Sequence, residues 1–168
     1  MSSRKTNFFT DLKLVLDSSV RDTVVTSIVL EQLVKGLGGV WGAYWYVDEA
    51  SELLRFSQSW HTPEFNPATL DEHIQKRTFT SGEGMPGTVW RTRKAEWSRD
   101  IVKDMMLPRS LKALNAGLEA GMWIPIVNIN GIFGVVEILG CRNDLLTNGL
   151  AQFLQTIGEE IGDHIAYS

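Results

Sequence analysis

One acidic residue stands where apolar strand positions should close around it. Glu137 interrupts Val135, Val136, Ile138 and Leu139 in a run whose both faces read as buried. A carboxylate in that position is either paired with an arginine or backbone N–H groups, or it serves a bound molecule, and the residue types leave both readings open. Strand alternation groups it with Phe133, Val135 and Leu139 on one face. Six tryptophans add aromatic surface beyond what a core of this size needs. Trp60, Trp90, Trp97 and Trp123 are the candidates for lining a cavity, where indoles would suit a cation or a planar ring; core packing is the other reading. Trp41 and Trp45 alternate with Val40 and Tyr44 and are expected to split between interior and helix-covered surfaces.

A second candidate is the stretch from Thr78 to Asp100. Gly82, Gly84 and Gly87 permit unusual backbone angles, and Pro86 suits a first helical position. A short helix starting at about Pro86 would carry Val89 and Trp90 inward and leave the N–H groups of Gly87, Thr88 and Val89 for an anion or a carbonyl. Gly84 and Met85, in the same turn, join the binding candidates. Asp100, next to Arg99, could reach the mouth of a pocket, and Arg91 could cover an anion; solvated charges are the plainer reading.

Other chemistries find little support. Cys141 is the only cysteine, which excludes an internal disulfide and a multi-thiolate metal cluster. His61, His73 and His164 lack the close spacing of a metal pair, so no metal or catalytic residue is assigned. No Gly-x-Ser-x-Gly elbow is present. Sixteen basic against twenty acidic residues give a net charge of -4, which does not favour a nucleic-acid partner. The apolar runs are too short for a bilayer span and the first residues lack a signal-peptide core, so a cytoplasmic location away from membranes is expected.

These residues need elements to hold them. With 168 residues, 43% of them hydrophobic, one core is the simplest organisation. Residues 1–16 read as a polar lead-in, with Phe8 and Phe9 able to dock, and 17–168 as a single domain. Val20, Val24, Val25, Ile28, Val29, Leu33 and Val34 predict an amphipathic helix from about Asp17 to Leu37, capped by Asp17, Ser18 or Ser19 and ended by Gly36, Gly38 and Gly39. Val40 to Val47 and Leu53 to Trp60 predict a first hairpin. Residues 61–67 should be irregular and 68–76 weakly helical. Ala95 to Trp97 reads as a short strand, Asp100 to Leu107 as a loop, and Pro108 as the start of another helix. Met122 to Val127 and Ile132 to Leu139 predict a central hairpin, and Leu145 onward a final amphipathic helix. The order predicts an α+β fold around an antiparallel sheet.

Three segments carry a resemblance: AYWYVD from Ala43, GEGMPGTVW from Gly82 with AEWSRD behind it, and WIPIVNINGIFGVVEIL from Trp123. Together with Trp60 and His61, in this order and spacing, the chain resembles GAF domains of the type found in bacterial sensor histidine kinases. The resemblance implies a sheet of about six antiparallel strands. It places terminal helices on one face and short helices and loops on the other, where they form a ligand pocket. It also implies cytoplasmic signalling as a homodimer through the terminal helices. Covalent bilin does not fit, because Cys141 does not match the family's attachment positions, and the cyclic-nucleotide pattern is not found. The free methionine sulfoxide reductase branch has an acid where Glu137 stands, but Leu139 replaces its second acid and its paired thiols are missing. The expectation is a non-catalytic sensor for an unidentified small molecule, with no cofactor named and a histidine kinase or another signalling unit as output. A sulfoxide-reductase-like enzyme and a purely structural dimerisation module are the rivals.

Overall fold

The computed structural model describes residues 2–18, 25–70, 73–105, 108–142, 144 and 146–166. Alternation along β5 (Gly121–Asn128) and β6 (Gly131–Leu139) sorts these into layers. These strands join β1 (Trp41–Asp48), β2 (Leu53–His61), β3 (Thr78–Phe79) and β4 (Glu96–Ser98) in one antiparallel sheet of order β3-β2-β1-β6-β5-β4. The α+β architecture with six strands is as expected.

One face of the sheet carries Tyr44, Met122, Ile124, Ile126, Val136 and Ile138 against three helices, α1 (Ser2–Ser18), α2 (Ser27–Gly36) and α6 (Leu150–Ala166). The other carries Trp41, Ala43, Trp45, Trp123, Val135 and Leu139. It is covered by α3 (Gly84–Thr92), α4 (Ile101–Asp104) and α5 (Arg109–Asn115), with 3-10 turns at Pro67–Thr69 and Ile74–Lys76. Both clusters are buried and mainly apolar, so the sheet is sandwiched between two covering layers.

Several local expectations change. The polar lead-in is helix α1, because Phe8, Leu12 and Leu16 recur every four residues and bury one face in the helical layer. Phe8 and Phe9 dock edge-on against Phe153 of α6, with ring centroids 5.5 and 5.4 Å away. Of the helix predicted from Asp17 to Leu37, Asp17 and Ser18 belong to α1 and residues 27–36 form α2, which is capped by Thr26, whose hydroxyl accepts the Val29 N–H at 3.2 Å. Val20, Val24 and the cap candidate Ser19 lie outside the described residues. The expected loop after Asp100 contains the short helix α4, for which Asp100 caps the Lys103 N–H at 3.3 Å. The final helix starts at Leu150, after Leu146 has already been buried; Leu145 is not described.

Strand parity corrects three aromatic placements. Trp41 and Trp45 both face the short-helix layer, since residues four apart on a strand share a face, while Gly42 and Tyr44 between them face the helical layer. Phe133 leaves the face of Glu137, because β6 carries one extra residue there: Ile126 pairs with Gly134 and Val127 with Ile132. Its ring packs on the helical layer instead.

Helix α6 lies directly on the backbone of β5. A Cβ on Gly158 would fall 1.9 Å from the Pro125 carbonyl oxygen, and one on Gly162 would fall 1.9 Å from that of Val127. In an exposed helix Gly→Ala stabilises by about 1 kcal/mol; here Gly158→Ala should destabilise the fold by about 2–3 kcal/mol in urea denaturation, since backbone cannot yield as a side chain does. An unchanged or raised midpoint would contradict the close contact.

Candidate functional site

Glu137 is 0% exposed in β6 and pairs across the sheet with Ala43 of β1 and Trp123 of β5. The Trp123 indole, on the same face, donates its Nε1–H to Glu137 Oε2 at 2.7 Å. From α5 above, Arg109 donates through Nη2 to Oε1 at 2.6 Å and through Nη1 to Oε2 at 3.2 Å. A fork-to-fork pair with a third N–H donor is what allows two charges to persist in this interior. The Arg109 guanidinium carbon also lies 5.7 Å from the Trp45 ring centroid and 5.4 Å from that of Phe79.

Arg109 escaped the sequence reading because it follows Pro108 at an ordinary helix start. The usable signal was indirect: a buried carboxylate demands a cation, and Arg109 opens a short helix that covers the same face.

Three donor groups on this side remain without a partner. Trp45 Nε1, Arg109 Nε and Ser110 Oγ are buried and make no hydrogen bond among the described residues. Leaving such a group unmet costs about 1–3 kcal/mol, and the Tyr44 hydroxyl on the helical face is a fourth group of this kind.

The remaining residues singled out from the sequence divide between the two faces. Met85 and Trp90 pack against the layer that holds Glu137 and Trp123. Trp60 and Trp97, expected on the pocket side, lie on the helical side, because their cross-strand partners Gly42 and Met122 face α2 and α6. Lys35 Nζ sits 5.5 Å from the Trp60 ring, and Arg99 stacks at the same distance from Trp97. Asp100 is exposed and caps α4.

The anion site expected at Pro86 does not form. Helix α3 begins two residues earlier, at Gly84, and the Gly87 N–H donates to the Glu83 carbonyl at 2.9 Å. Gly87 has a different role: its Cβ would lie 2.4 Å from the Thr80 carbonyl oxygen, so glycine lets the helix press against the preceding strand end. Beyond α3, a groove of about 390 Å³ opens at the turn end of the sheet, lined by Trp90, Arg93, Val47, Phe133, Glu49 and Glu52 among others.

Cys141 belongs to the helical layer, on the opposite side of the sheet from Glu137, and donates to the Ile138 carbonyl. Burial pushes its thiol from the ordinary 9.0 up to about 12, so it stays protonated and shielded at neutral pH. The same burial raises the Tyr44 phenol well above its ordinary value. Among the described residues no His, Cys, Asp and Glu cluster fit for a metal occurs. None of their helices is long and apolar enough to cross a membrane.

Two predictions follow from these environments. Below pH 9 the native and unfolded chains both keep the thiol protonated; above it only the unfolded chain ionises. Stability should therefore fall as pH rises past about 9, approaching about 1.4 kcal/mol per pH unit for this one group, and Cys141→Ala should flatten that slope in urea titrations from about pH 8 to 11. In the polar cluster, Arg109→Met strands the carboxylate and should cost about 3–5 kcal/mol. Adding Glu137→Met should recover a large part of that loss; additive losses would mean that the two residues do not act as a pair.

Comparison with known proteins agrees with this architecture. The GAF domain family model matches residues 23–166. Among solved structures, the GAF domain of an Acinetobacter phosphoenolpyruvate-protein phosphotransferase superposes with a TM-score of 0.73 at 15% identity, covering 99% of this chain and 96% of that one. The A. aeolicus nlh2 GAF domain in an inactive state gives 0.72 at 17% identity, with 99% and 98% covered. The free methionine-R-sulfoxide reductase of Neisseria meningitidis, solved with its substrate, gives 0.59 at 17% identity, with 93% and 90% covered. At these identities the likeness is one of fold, and no curated protein sequence matches the chain. With the family model spanning the whole sheet and every helix after α1, the chain belongs to the GAF domain family, whose members are generally small-molecule-binding regulatory domains.

Proposed function

We propose that this GAF domain is a non-catalytic sensor, which takes a small molecule on the short-helix side of the sheet and signals through its terminal helices. The observation that carries the reading is the buried polar cluster: Glu137, Arg109 and Trp123 bond to one another, while donors of Trp45 and, on α5, of Arg109 and Ser110 have no partner among the described residues. A covering layer made of helices of four and seven residues is suited to admitting a guest, since short helices gain little stability of their own.

Two connections run from this side to the helical layer. Strands β5 and β6 alternate site residues with helix-packing residues, so Trp123 lies between Met122 and Ile124. Gln155 of α6 also reaches across, accepting the Ala95 N–H at 2.7 Å and donating to the Arg93 carbonyl at 3.0 Å, which ties the end of α3 to the last helix. A ligand that favours one placement of α3 over another would therefore bias α6, with a coupling of a few kcal/mol at most.

In this reading the domain works in the cytoplasm as a homodimer, with a histidine kinase or another signalling unit as output. Leu14 of α1 and Ile28 of α2 are 64% and 60% exposed and supply apolar surface for a second copy. Against thiol chemistry of the sulfoxide-reductase kind stand the burial of Cys141 and its place across the sheet from Glu137.

The test combines a metabolite screen by thermal shift with sedimentation. A true ligand at 100 times its Kd should stabilise the fold by about 2.7 kcal/mol, and the chain should sediment as a dimer at high micromolar concentration. A dimer that no metabolite stabilises would leave a structural module. Turnover of free methionine sulfoxide with a thiol regenerant would overturn the non-catalytic assignment.

A further inference from the structure

The groove beyond α3 lies apart from the Glu137 cluster and has a composition of its own. Its volume of about 390 Å³ suits a small metabolite. Trp90, Ile132 and Phe133 line it and are half-buried, so apolar and aromatic surface stays open to a guest. Glu49, Glu52 and Arg93 line it too, and all three are exposed. The ion pairs formed among the described residues use none of them. Opposite charges therefore share one groove without pairing to each other.

Backbone geometry separates two of these residues from ordinary solvated charges. Glu52 has φ 56° in the β1–β2 turn, and Arg93 has φ 61° as the cap of α3. Both are left-handed positions, where glycine fits without strain and long side chains do not. No other non-glycine residue among those described has positive φ, and these two, of opposite charge, line the same groove. A turn or a cap alone is better served by glycine, so what these positions gain from Glu and Arg is the charged side chain. Arg93 is also held from behind, since its carbonyl accepts the Gln155 Nε2–H of α6 at 3.0 Å. The backbone that carries the guanidinium is thereby tied to the last helix.

We propose that this groove is a second binding site, which takes a small zwitterion with an apolar body. Its ammonium group is held by Glu49 and Glu52, its carboxylate by Arg93, and its body lies on Trp90 and Phe133. A guest with both charges offers each sign of the groove its opposite, whereas a guest with one charge leaves the like-charged side unpaired and repelled. The site is separate from the buried cluster and does not rest on the sensor reading, so either can fail alone.

Three probes share one phenyl body: phenylalanine, phenethylamine, which lacks its carboxylate, and hydrocinnamate, which lacks its ammonium group. Each is titrated into the whole 15N-labelled chain while the Trp90 indole and the Glu52 and Arg93 backbone N–H signals are followed by NMR, with Trp90→Phe assigning the indole. Phenylalanine should move these signals and bind at least about fivefold more tightly than either analogue, by a margin that narrows at high salt because the charges are exposed. Arg93→Gly should erase the advantage over phenethylamine, and Glu52→Gly should reduce that over hydrocinnamate. The urea midpoint of both variants should stay level or rise, since glycine relieves the left-handed backbone. Equal binding of phenylalanine and phenethylamine removes the role of Arg93, equal binding of phenylalanine and hydrocinnamate removes that of the acids, and either result overturns the zwitterion class. A lowered midpoint in both glycine variants means that the two side chains are kept for folding, and overturns their assignment to a ligand. If no probe moves these signals, the site itself falls while the sensor reading stands or falls by its own screen.

Discussion

The pairing of Glu137 with Arg109 is the constraint around which the covering layer is arranged. A carboxylate in the middle of a sheet covered on both faces cannot be hydrated, so it needs a cation from outside the sheet, and the helix that supplies one is held in place by that demand. Helix α5 is only seven residues long, and buries Arg109, Ser110 and Ala113. Its position depends on the ion pair as much as on apolar contact. The third donor, Trp123, comes from the neighbouring strand, so the cluster links β5, β6 and α5 at one point.

The opposite face obeys a different rule. There the helical layer is set by close approach, with Gly158 and Gly162 allowing α6 to rest on the carbonyls of β5, and with the Phe8, Phe9 and Phe153 rings joining α1 to α6. Contacts of this kind tolerate little adjustment, because backbone meets backbone. Gln155, which holds the segment after α3 by two hydrogen bonds, adds a direct tie between the layers.

The groove at the turn end of the sheet shows how the edges of this arrangement are finished. Glu52 and Arg93, the two non-glycine residues with positive φ among those described, at 56° and 61°, both line it. Each ends an element sharply, Glu52 in the β1–β2 turn and Arg93 as the left-handed cap of α3. Trp90 stands between this groove and the buried aromatic layer.

Much of the fold was legible in the chain. Apolar, aromatic and β-branched runs separated by short turns specified the hairpins, three-to-four spacing marked α2 and α6, and an acid amid Val135, Val136, Ile138 and Leu139 marked the candidate site. These are local signals, written in the sequence by the geometry of a strand or a helix. Helix α1 was legible in principle, in Phe8, Leu12 and Leu16, but its polar residues outweighed that stripe when the segment was judged by composition. What tertiary structure alone decided was partnership. Arg109 meets Glu137 across 28 positions, and no local pattern encodes so distant a contact. Likewise Trp60 and Trp97 went to the helical face and Trp41 and Trp45 to the other, because a side chain's face depends on the parity and bulges of its strand and on which cross-strand partner it meets. Residue types thus determined that a buried acid amid aromatics would exist; only the assembled sheet and its covering helices determined which aromatics and which cation would stand around it.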